Sequence, residues 1–356
     1  MSKDMRIDSH KLLYHPREVA KWLAGEEIFP LYVEISPAGS CNHRCVFCAL
    51  DYMKYTPRFL DTAMLKERIA EMGRLGVKSV MYGGEGEPLL HRDIAELIVH
   101  TKQSGIDVAV TTNGVLLTEQ MAEKIVASTS WIKVSLNAGT PDTYAAVHRT
   151  RVEDFRLVLD NIAAASRTIS SQGADCTLGV QAILLPENAA EMEQLAALAR
   201  DAGASYLVIK TYSQHQHSVT RRYAELDYAP MAAMAERLKA LSTDRFQVIV
   251  RLHSMEKLQH QDRGYSRCLS LPFWSYIDAG GTVWGCSAFL GDERFRYGSL
   301  YEETFEKIWH GERRHRSLEL TAQHLDPTEC RQNCRMDEIN RYLWDLTNPG
   351  KHVNFI

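Results

Sequence analysis

The chain has 356 residues, of which 45% are hydrophobic and 24% charged, with a formal net charge of −4 at pH 7. That length allows one large catalytic domain with an appendage, or two ordinary domains, and that balance excludes intrinsic disorder and fibrous folds. The mild acidity argues against holding nucleic acid by bulk electrostatics, so no nucleic-acid partner is expected.

The N-terminal stretch MSKDMRIDSHKLLYHPREVAKWL has no apolar signal core, and no run approaches about 18 apolar residues. Neither a secretory signal nor a membrane partner is expected, and the expected location is cytoplasmic. There the eight cysteines should be reduced, and clustered reduced cysteines are more often metal ligands than disulfides.

Hydrophobic periodicity predicts an alternation of strands and helices. Leu31–Ser36 reads as a first strand, followed by a helix over Asp61–Leu75, with Leu65, Ile69, Met72 and Leu75 on one face and Asp61 as cap. Strands are predicted at Ser79–Tyr82, Asp107–Thr112, Trp131–Asn137, Thr177–Leu184 and Tyr206–Lys210. Helices fall between them at Asp93–Lys102, Glu119–Val126, Glu153–Ala165 and Ala190–Ala202. Six βα units in a row predict an α/β fold with a parallel sheet, either doubly wound or an open barrel, whose ligands sit at the C-terminal strand ends. Beyond Tyr212 the pattern changes. A helix over Asp227–Leu241, a strand over Phe246–Leu252 and helices over Tyr301–Trp309 and Met336–Leu346 are predicted around four further cysteines.

Cys41, Cys45 and Cys48 follow the first strand in SCNHRCVFCAL, spaced C-x3-C-x2-C. Three thiolates on one short loop suit an iron–sulfur cubane with one iron open, whereas structural zinc usually takes four ligands in paired knuckles. Three buried cysteines, or zinc with a distant fourth ligand, is the plain alternative. His43, between the cysteines, is expected to face solvent.

This motif, with Phe47 before its last cysteine and a parallel βα array behind it, resembles the signature of radical S-adenosylmethionine enzymes. The resemblance implies a partial (β/α)6 barrel and a [4Fe–4S] cluster whose open iron chelates S-adenosylmethionine. It also implies a 5′-deoxyadenosyl radical that abstracts a substrate hydrogen, and a reductant such as flavodoxin or ferredoxin. After the second strand, MYGGEGEPLLH resembles the family segment that holds the methionine amino group. It offers two registers, Gly83-Gly84-Glu85 and Gly86-Glu87-Pro88, with Glu87 favoured and Glu85 second. By the same resemblance Asn113, in TTNG, matches a strand end of the family. Ser135 and Asn137 are candidates for ribose or carboxylate contacts, and Gln181 and Asn188 for the adenine side. Arg149 could pair with the cofactor carboxylate or be a surface arginine.

Cys268, Cys286, Cys330 and Cys334 could complete a closed four-thiolate site, for which zinc is the alternative. Their surroundings resemble the C-terminal SPASM/twitch extension of the same family. That implies one auxiliary [4Fe–4S] cluster, and no second one, since full SPASM domains carry about seven cysteines. Cys176 stands alone as a small buried hydrophobe or, as in some radical epimerases of this superfamily, a hydrogen-atom donor.

The loop KTYSQHQHSVTRRY places Lys210, Tyr212, His215, His217, Arg221 and Arg222 near the barrel mouth, where an arginine could clamp a carboxylate or phosphate. The expected division is a helical extension over 1–30, the barrel over 31–252 and the auxiliary domain over 253–356. Peptide-modifying relatives often carry a leader-binding domain of ~80 residues, large enough to fold alone; only 40 residues precede Cys41. The expected substrate is therefore a small sugar, aminocyclitol or nucleoside, and the expected reaction dehydrogenation. Epimerisation, elimination, decarboxylation and peptide modification are the alternatives, and a zinc-binding structural or regulatory protein is the rival of a different class.

Overall fold

The computed structural model describes residues 9–228, 233–259 and 263–355. Strands β1 (Tyr32–Ile35), β2 (Ser79–Tyr82), β3 (Asp107–Thr112), β4 (Trp131–Ser135), β5 (Thr177–Leu184), β6 (Tyr206–Thr211) and β7 (Gln247–Val250) form a parallel array in sequence order. Strands β8 (Trp274–Ile277), β9 (Thr282–Trp284) and β10 (Arg296–Ser299) extend the same sheet beyond β1. β8 runs parallel to β1, and β9 and β10 fold back antiparallel. The C-terminal segment thus continues the barrel sheet rather than forming a sheet of its own.

Helix α1 (Pro16–Leu23) precedes β1, and between the strands lie α2 (Thr62–Arg74), α3 (Ile94–Gln103), α4 (Glu119–Ile125), α5 (Pro141–His148), α6 (Glu153–Gln172) and α7 (Met192–Asp201). Asp61 caps α2 by accepting the Met64 N–H at 2.8 Å, and Leu65, Ile69 and Met72 are fully buried. Full burial of side chains of this size contributes about 1.5–3 kcal/mol each. They meet the helix-facing side of the sheet, where Val33, Val80, Val108, Ile132, Val180 and Leu207 are also buried.

The alternate residues point to the other, concave side. There Tyr32 donates to the Met81 sulfur at 3.6 Å and Thr111 does so at 3.4 Å. Paired strand ends, Ile35 with Tyr82, Tyr82 with Val110 and Ser135 with Gln181, bring the loops that follow them to one rim.

Helix α5 was not anticipated. Its start is legible: Thr140 caps it, accepting from Thr143, with Pro141 in the first turn. At eight residues it is too short to produce a clear periodicity. The helix expected over Asp227–Leu241 is described only as Met234–Lys239, and residues 229–232 lie outside the described residues. The helix expected from Tyr301 begins at Phe305, because Thr304 caps it, and a further helix over Glu312–Gln323 follows. Of the N-terminal extension, residues 1–8 lie outside the described residues. The remainder packs Leu12, Val19 and Ile28 against Phe273 and Leu343, so the two ends of the chain share a small core. Among the described residues no helix is long and apolar enough to cross a membrane.

Candidate active site

The loop carrying Cys41, Cys45 and Cys48 leaves β1 at the rim. Two backbone hydrogen bonds, Arg44 N to His148 O at 3.1 Å and Val46 N to Val147 O at 2.9 Å, hold it against the end of α5. All three cysteines are free and partly buried. Burial pushes the Cys41 thiol up to about 11 and the Cys45 and Cys48 thiols upward, with neighbouring thiols adding to the effect at Cys41 and Cys45. Buried thiols this reluctant to ionise alone suit a site where metal charge stabilises the thiolates.

His43 is 1% exposed, not solvent-facing as expected. It lies 3.9 Å from Asp154 and edge-on to His148, ring centres 5.3 Å apart, and burial lowers it to about 4. His43, Cys45 and His148 offer ligand atoms within 4.8 Å of one another. His148, however, already has a partner on each ring nitrogen: Asn137 N–H at 3.2 Å from Nε2, and Cys45 Sγ at 3.3 Å from Nδ1.

The segment after β2 presses onto the cysteine loop. A Cβ on Gly86 would lie 2.3 Å from the carbonyl oxygens of Ala38 and Ser40, and Glu87 N–H donates to Ser40 O at 2.8 Å. Gly84 has φ +101°, and a Cβ there would meet the Tyr276 hydroxyl at 2.4 Å. The two glutamates of the alternative registers face different ways. Glu87 accepts from Thr112 Oγ1 at 2.6 Å, Asn113 N at 2.8 Å and Leu89 N at 3.1 Å, which ties β2 to the end of β3. Glu85 accepts from Ala279 N at 2.8 Å and from Arg58 at 3.4 Å, which ties β2 to the turn after β8. Burial pushes both carboxyls up to about 7.

Of the other rim candidates, Asn113 donates to Asn42 Oδ1 at 2.6 Å, reaching the cysteine loop. Asn137 is spent within the fold: it is buried, and its side chain accepts from Ile183 N at 2.6 Å and lies 3.2 Å from His148. Asn188 likewise holds the turn after β5, accepting from Leu185 N and donating to Asn137 O. Their amide groups are therefore not open to a ligand, contrary to expectation. Ser135 and Gln181 are partly exposed on the concave side. Arg149 is exposed, at φ +48°, at the end of α5. Cys176 is 8% exposed within the main core, just before β5, and burial pushes its thiol up to about 12. It lies at the strand end opposite the rim, so the structure removes it from hydrogen donation.

Cys268, Cys286, Cys330 and Cys334 are all free and line one small cavity. Its wall is otherwise largely apolar, with Leu271, Trp274, Phe289 and Phe295 among its residues. Desolvation raises Cys286 and Cys334, and charge on the other cysteines of the set raises them further. Four converging thiols with little competing polar chemistry suit a closed metal or iron–sulfur site.

The loop after β6 spans the two cysteine sites. Asp51, three residues past Cys48, accepts from Ser218 Oγ at 3.0 Å, Val219 N at 2.8 Å and Thr220 N at 2.9 Å. Gln216 donates to Ala288 O, beside Cys286, at 3.0 Å. Tyr212 and His215 are buried rather than displayed. The Tyr212 hydroxyl donates to Gln214, and His215 stacks on Tyr52 with ring centres 5.2 Å apart. His217, Arg221 and Arg222 are exposed. Arg221 donates to Gln216 O at 2.9 Å, and Arg222 pairs with Glu187 at 2.5 Å. Lys210 is not on the loop: it lies within β6 and points to the concave side.

Sequence reasoning passed over Asp51, Arg58, Lys133, His148, Arg331 and Arg335. Lys133 left a signal, a lysine at a period-2 position between Trp131 and Ser135. Arg331 and Arg335 flank Cys330 and Cys334 in sequence. Both reach distant partners only in the fold: Arg331 donates to Ser213 Oγ, on the loop after β6, at 3.0 Å, and Arg335 pairs with Glu34 of β1 at 2.5 Å.

A model of the radical SAM superfamily matches residues 35–199, and a model of the SPASM iron–sulfur cluster-binding domain matches residues 268–335. Together they cover well over half of the chain and leave the zinc-protein reading without support. GTP 3′,8-cyclase of Chlorobaculum tepidum is 34% identical over 154 residues, 42% of this chain and 46% of that protein. The chain thus aligns with less than half of that relative's length. Mycofactocin maturase MftC of Mycolicibacterium smegmatis is 26% identical over 280 residues, 76% of this chain and 67% of that protein. Among solved structures, Streptococcus suis SuiB bound to S-adenosylmethionine superposes with a TM-score of 0.65 at 19% identity, over 85% of this chain and 70% of that one. At that identity the likeness concerns the fold.

Proposed function

We propose that this chain, which belongs to the radical SAM superfamily and carries a C-terminal SPASM domain, removes a hydrogen atom from a small polar substrate held in the barrel lumen. The radical SAM domain binds S-adenosylmethionine and a [4Fe–4S] cluster, and the SPASM domain binds auxiliary iron–sulfur. In our reading Cys41, Cys45 and Cys48 hold the first, and Cys268, Cys286, Cys330 and Cys334 hold one auxiliary [4Fe–4S] cluster. The partly buried free thiols of each set suit these roles. Bound there, the first cluster and S-adenosylmethionine supply a 5′-deoxyadenosyl radical.

The chain's own residues position and enclose the reactants. Glu87 and Asn113 brace the cysteine loop, and Gly86 lets the strand-end backbone approach it closely. Ser135 and Gln181 offer partly exposed polar groups on the lumen side for the cofactor, and Arg149 stands at the rim. The loop Tyr212–Tyr223 covers the lumen and limits the access of water. We place the substrate, a sugar, aminocyclitol or nucleoside, beneath that loop, and favour dehydrogenation of a hydroxyl-bearing carbon to a carbonyl. A low-potential reductant such as flavodoxin or ferredoxin is the proposed protein partner.

One observation carries this reading. The loop is fastened through Asp51 to the segment behind Cys48 and through Gln216 to the turn beside Cys286, so the lumen beneath it lies between the two cysteine sites. The test is anaerobic reconstitution of the wild type and of a Cys41/Cys45/Cys48→Ala variant. The wild type should hold about eight irons and the variant about four, and only the wild type should form 5′-deoxyadenosine. A variant that still cleaves S-adenosylmethionine would sink the assignment.

A second reading, modification of a peptide, is favoured by the alignment with mycofactocin maturase over 76% of this chain. The reaction type separates further by isotope. Dehydrogenation consumes one S-adenosylmethionine per product and leaves no solvent deuterium on the oxidised carbon, whereas epimerisation delivers deuterium to it.

A further inference from the structure

Two lysines on the concave side of the sheet have no counter-ion. Lys133 of β4 and Lys210 of β6 project into the lumen, flanked in sequence by Ile132, Val134 and Ile209, which are fully buried against the helices. Both lysines are partly exposed. Among the described residues neither ammonium makes an ion pair or hydrogen bond. The contact found for Lys133 is the face of Trp131, 5.1 Å away.

The surrounding charge makes this costly. Glu34, the carboxylate that attracts Lys133, is already bound by Arg335 at 2.5 Å. Lys210 feels Lys133, Arg331, Arg251 and Arg335, all of its own sign. Burial, with these neighbours, lowers Lys133 to about 8 and Lys210 well below its ordinary range. A buried amine normally finds a partner or is replaced by an apolar residue. Two unpaired amines on the concave side of the sheet, within range of the charges of several arginines, mark a functional site.

We propose that Lys133 and Lys210 form an anion site in the barrel lumen, which takes a carboxylate or phosphate group of the substrate and fixes it between the two cysteine sites. This rests on the radical SAM reading above and specifies its substrate as an anion. It also moves anion recognition inward from Arg221 and Arg222. Those two are exposed, and Arg222 is already neutralised by Glu187.

The reconstituted holoenzyme tests this by calorimetric titration with pyrophosphate and, separately, succinate, at constant ionic strength. The wild type should bind at least one probe. Lys133→Gln and Lys210→Gln should each weaken binding roughly tenfold or more, as for loss of one charged hydrogen bond. Lys→Arg variants should retain most of it. Binding of S-adenosylmethionine and its uncoupled cleavage should stay unchanged in all of them. Preference for pyrophosphate identifies a phosphorylated substrate, preference for succinate a carboxylic one, and equal binding a site that reads charge alone.

Binding of neither probe to the wild type, or equal binding by the wild type and the double Gln variant, overturns the anion site. Should a Gln variant fail to fold, lysine acetylation of the wild type decides: a bound probe should protect Lys133 and Lys210, and unchanged labelling overturns the proposal. Wild-type protein that holds iron and cleaves S-adenosylmethionine but binds no anion defeats this inference alone. Absence of iron and cleavage defeats the reading beneath it.

Discussion

His148 Nδ1 lies 3.3 Å from Cys45 Sγ. The other ring nitrogen, Nε2, faces the backbone N–H of Asn137 at 3.2 Å, a group that can only donate. Burial lowers His148 well below its ordinary range, so the ring is neutral and carries one proton. Nε2 accepts, Nδ1 holds the proton, and that proton points at the Cys45 sulfur.

An N–H donor to a ligating thiolate stabilises the more negative, reduced state of a cluster. With Cys45 ligating the S-adenosylmethionine-binding cluster, as proposed, replacing His148 with Phe should therefore make that cluster's midpoint potential more negative. If about 1 kcal/mol of hydrogen-bond energy distinguishes the two oxidation states, the shift is roughly 40 mV for one electron. An EPR-monitored redox titration reads this, with iron content as the control. An unchanged potential at full iron loading would remove His148 from this role.

Glu85 predicts a pH dependence. Burial pushes its carboxyl up to about 7 from an ordinary 4.5, and its side chain is 1% exposed. The folded state thus favours the protonated form. The associated stability is fully present below about 4.5 and is lost as pH rises through about 7. Glu85→Gln should flatten that decline, by at most about 3 kcal/mol for a shift of this size. Thermal melts of both proteins between pH 5 and 8, ranges set by the linkage argument, should diverge in this sense; parallel curves would contradict it.

Gly86→Ala tests the contact between the two strand-end loops. A Cβ there would stand 2.3 Å from two carbonyl oxygens of the cysteine loop, so one backbone must move. The variant should lose iron from the Cys41 site preferentially while the auxiliary cavity keeps its own. The expected destabilisation is about 1–3 kcal/mol, as for overpacking of a close-packed site. Mössbauer or EPR quantitation of the two clusters distinguishes this from general unfolding.

Cys176→Ala should turn over substrate at the wild-type rate and deliver the same solvent isotope to product. The residue precedes β5 and lies five positions before Gln181, which pairs with the rim residue Ser135, a separation of about 17 Å along the strand. A loss of turnover without loss of stability would restore it as a hydrogen donor.

Much of this protein was legible in sequence because the contacts concerned are local. Cys41, Cys45 and Cys48 share one loop, so their spacing alone states that three thiols can meet one cluster. Strand period and helix caps are local too: β2, β3 and β5 begin and end where hydrophobic alternation places them, and Asp61 caps α2. Other relationships depend on side-chain direction and long-range register, which no window of sequence contains. Cys45 and His148 are 103 positions apart and meet because α5 packs its end on the cysteine loop. Glu85 and Glu87 are two residues apart and look interchangeable, yet the turn at Gly86 sends one to β8 and the other to β3. Arg221 and Arg222 read as the anion clamp by composition, but in the fold Arg221 donates to Gln216 O and Arg222 pairs with Glu187. Sequence reasoning passes over Lys133 and reads Lys210 as a loop residue, until the register of β4, β5 and β6 puts both on the concave side of the sheet. Composition and spacing determine which groups the chain can offer; burial and register, set by packing of the whole sheet, decide which of them remain unpaired and able to act.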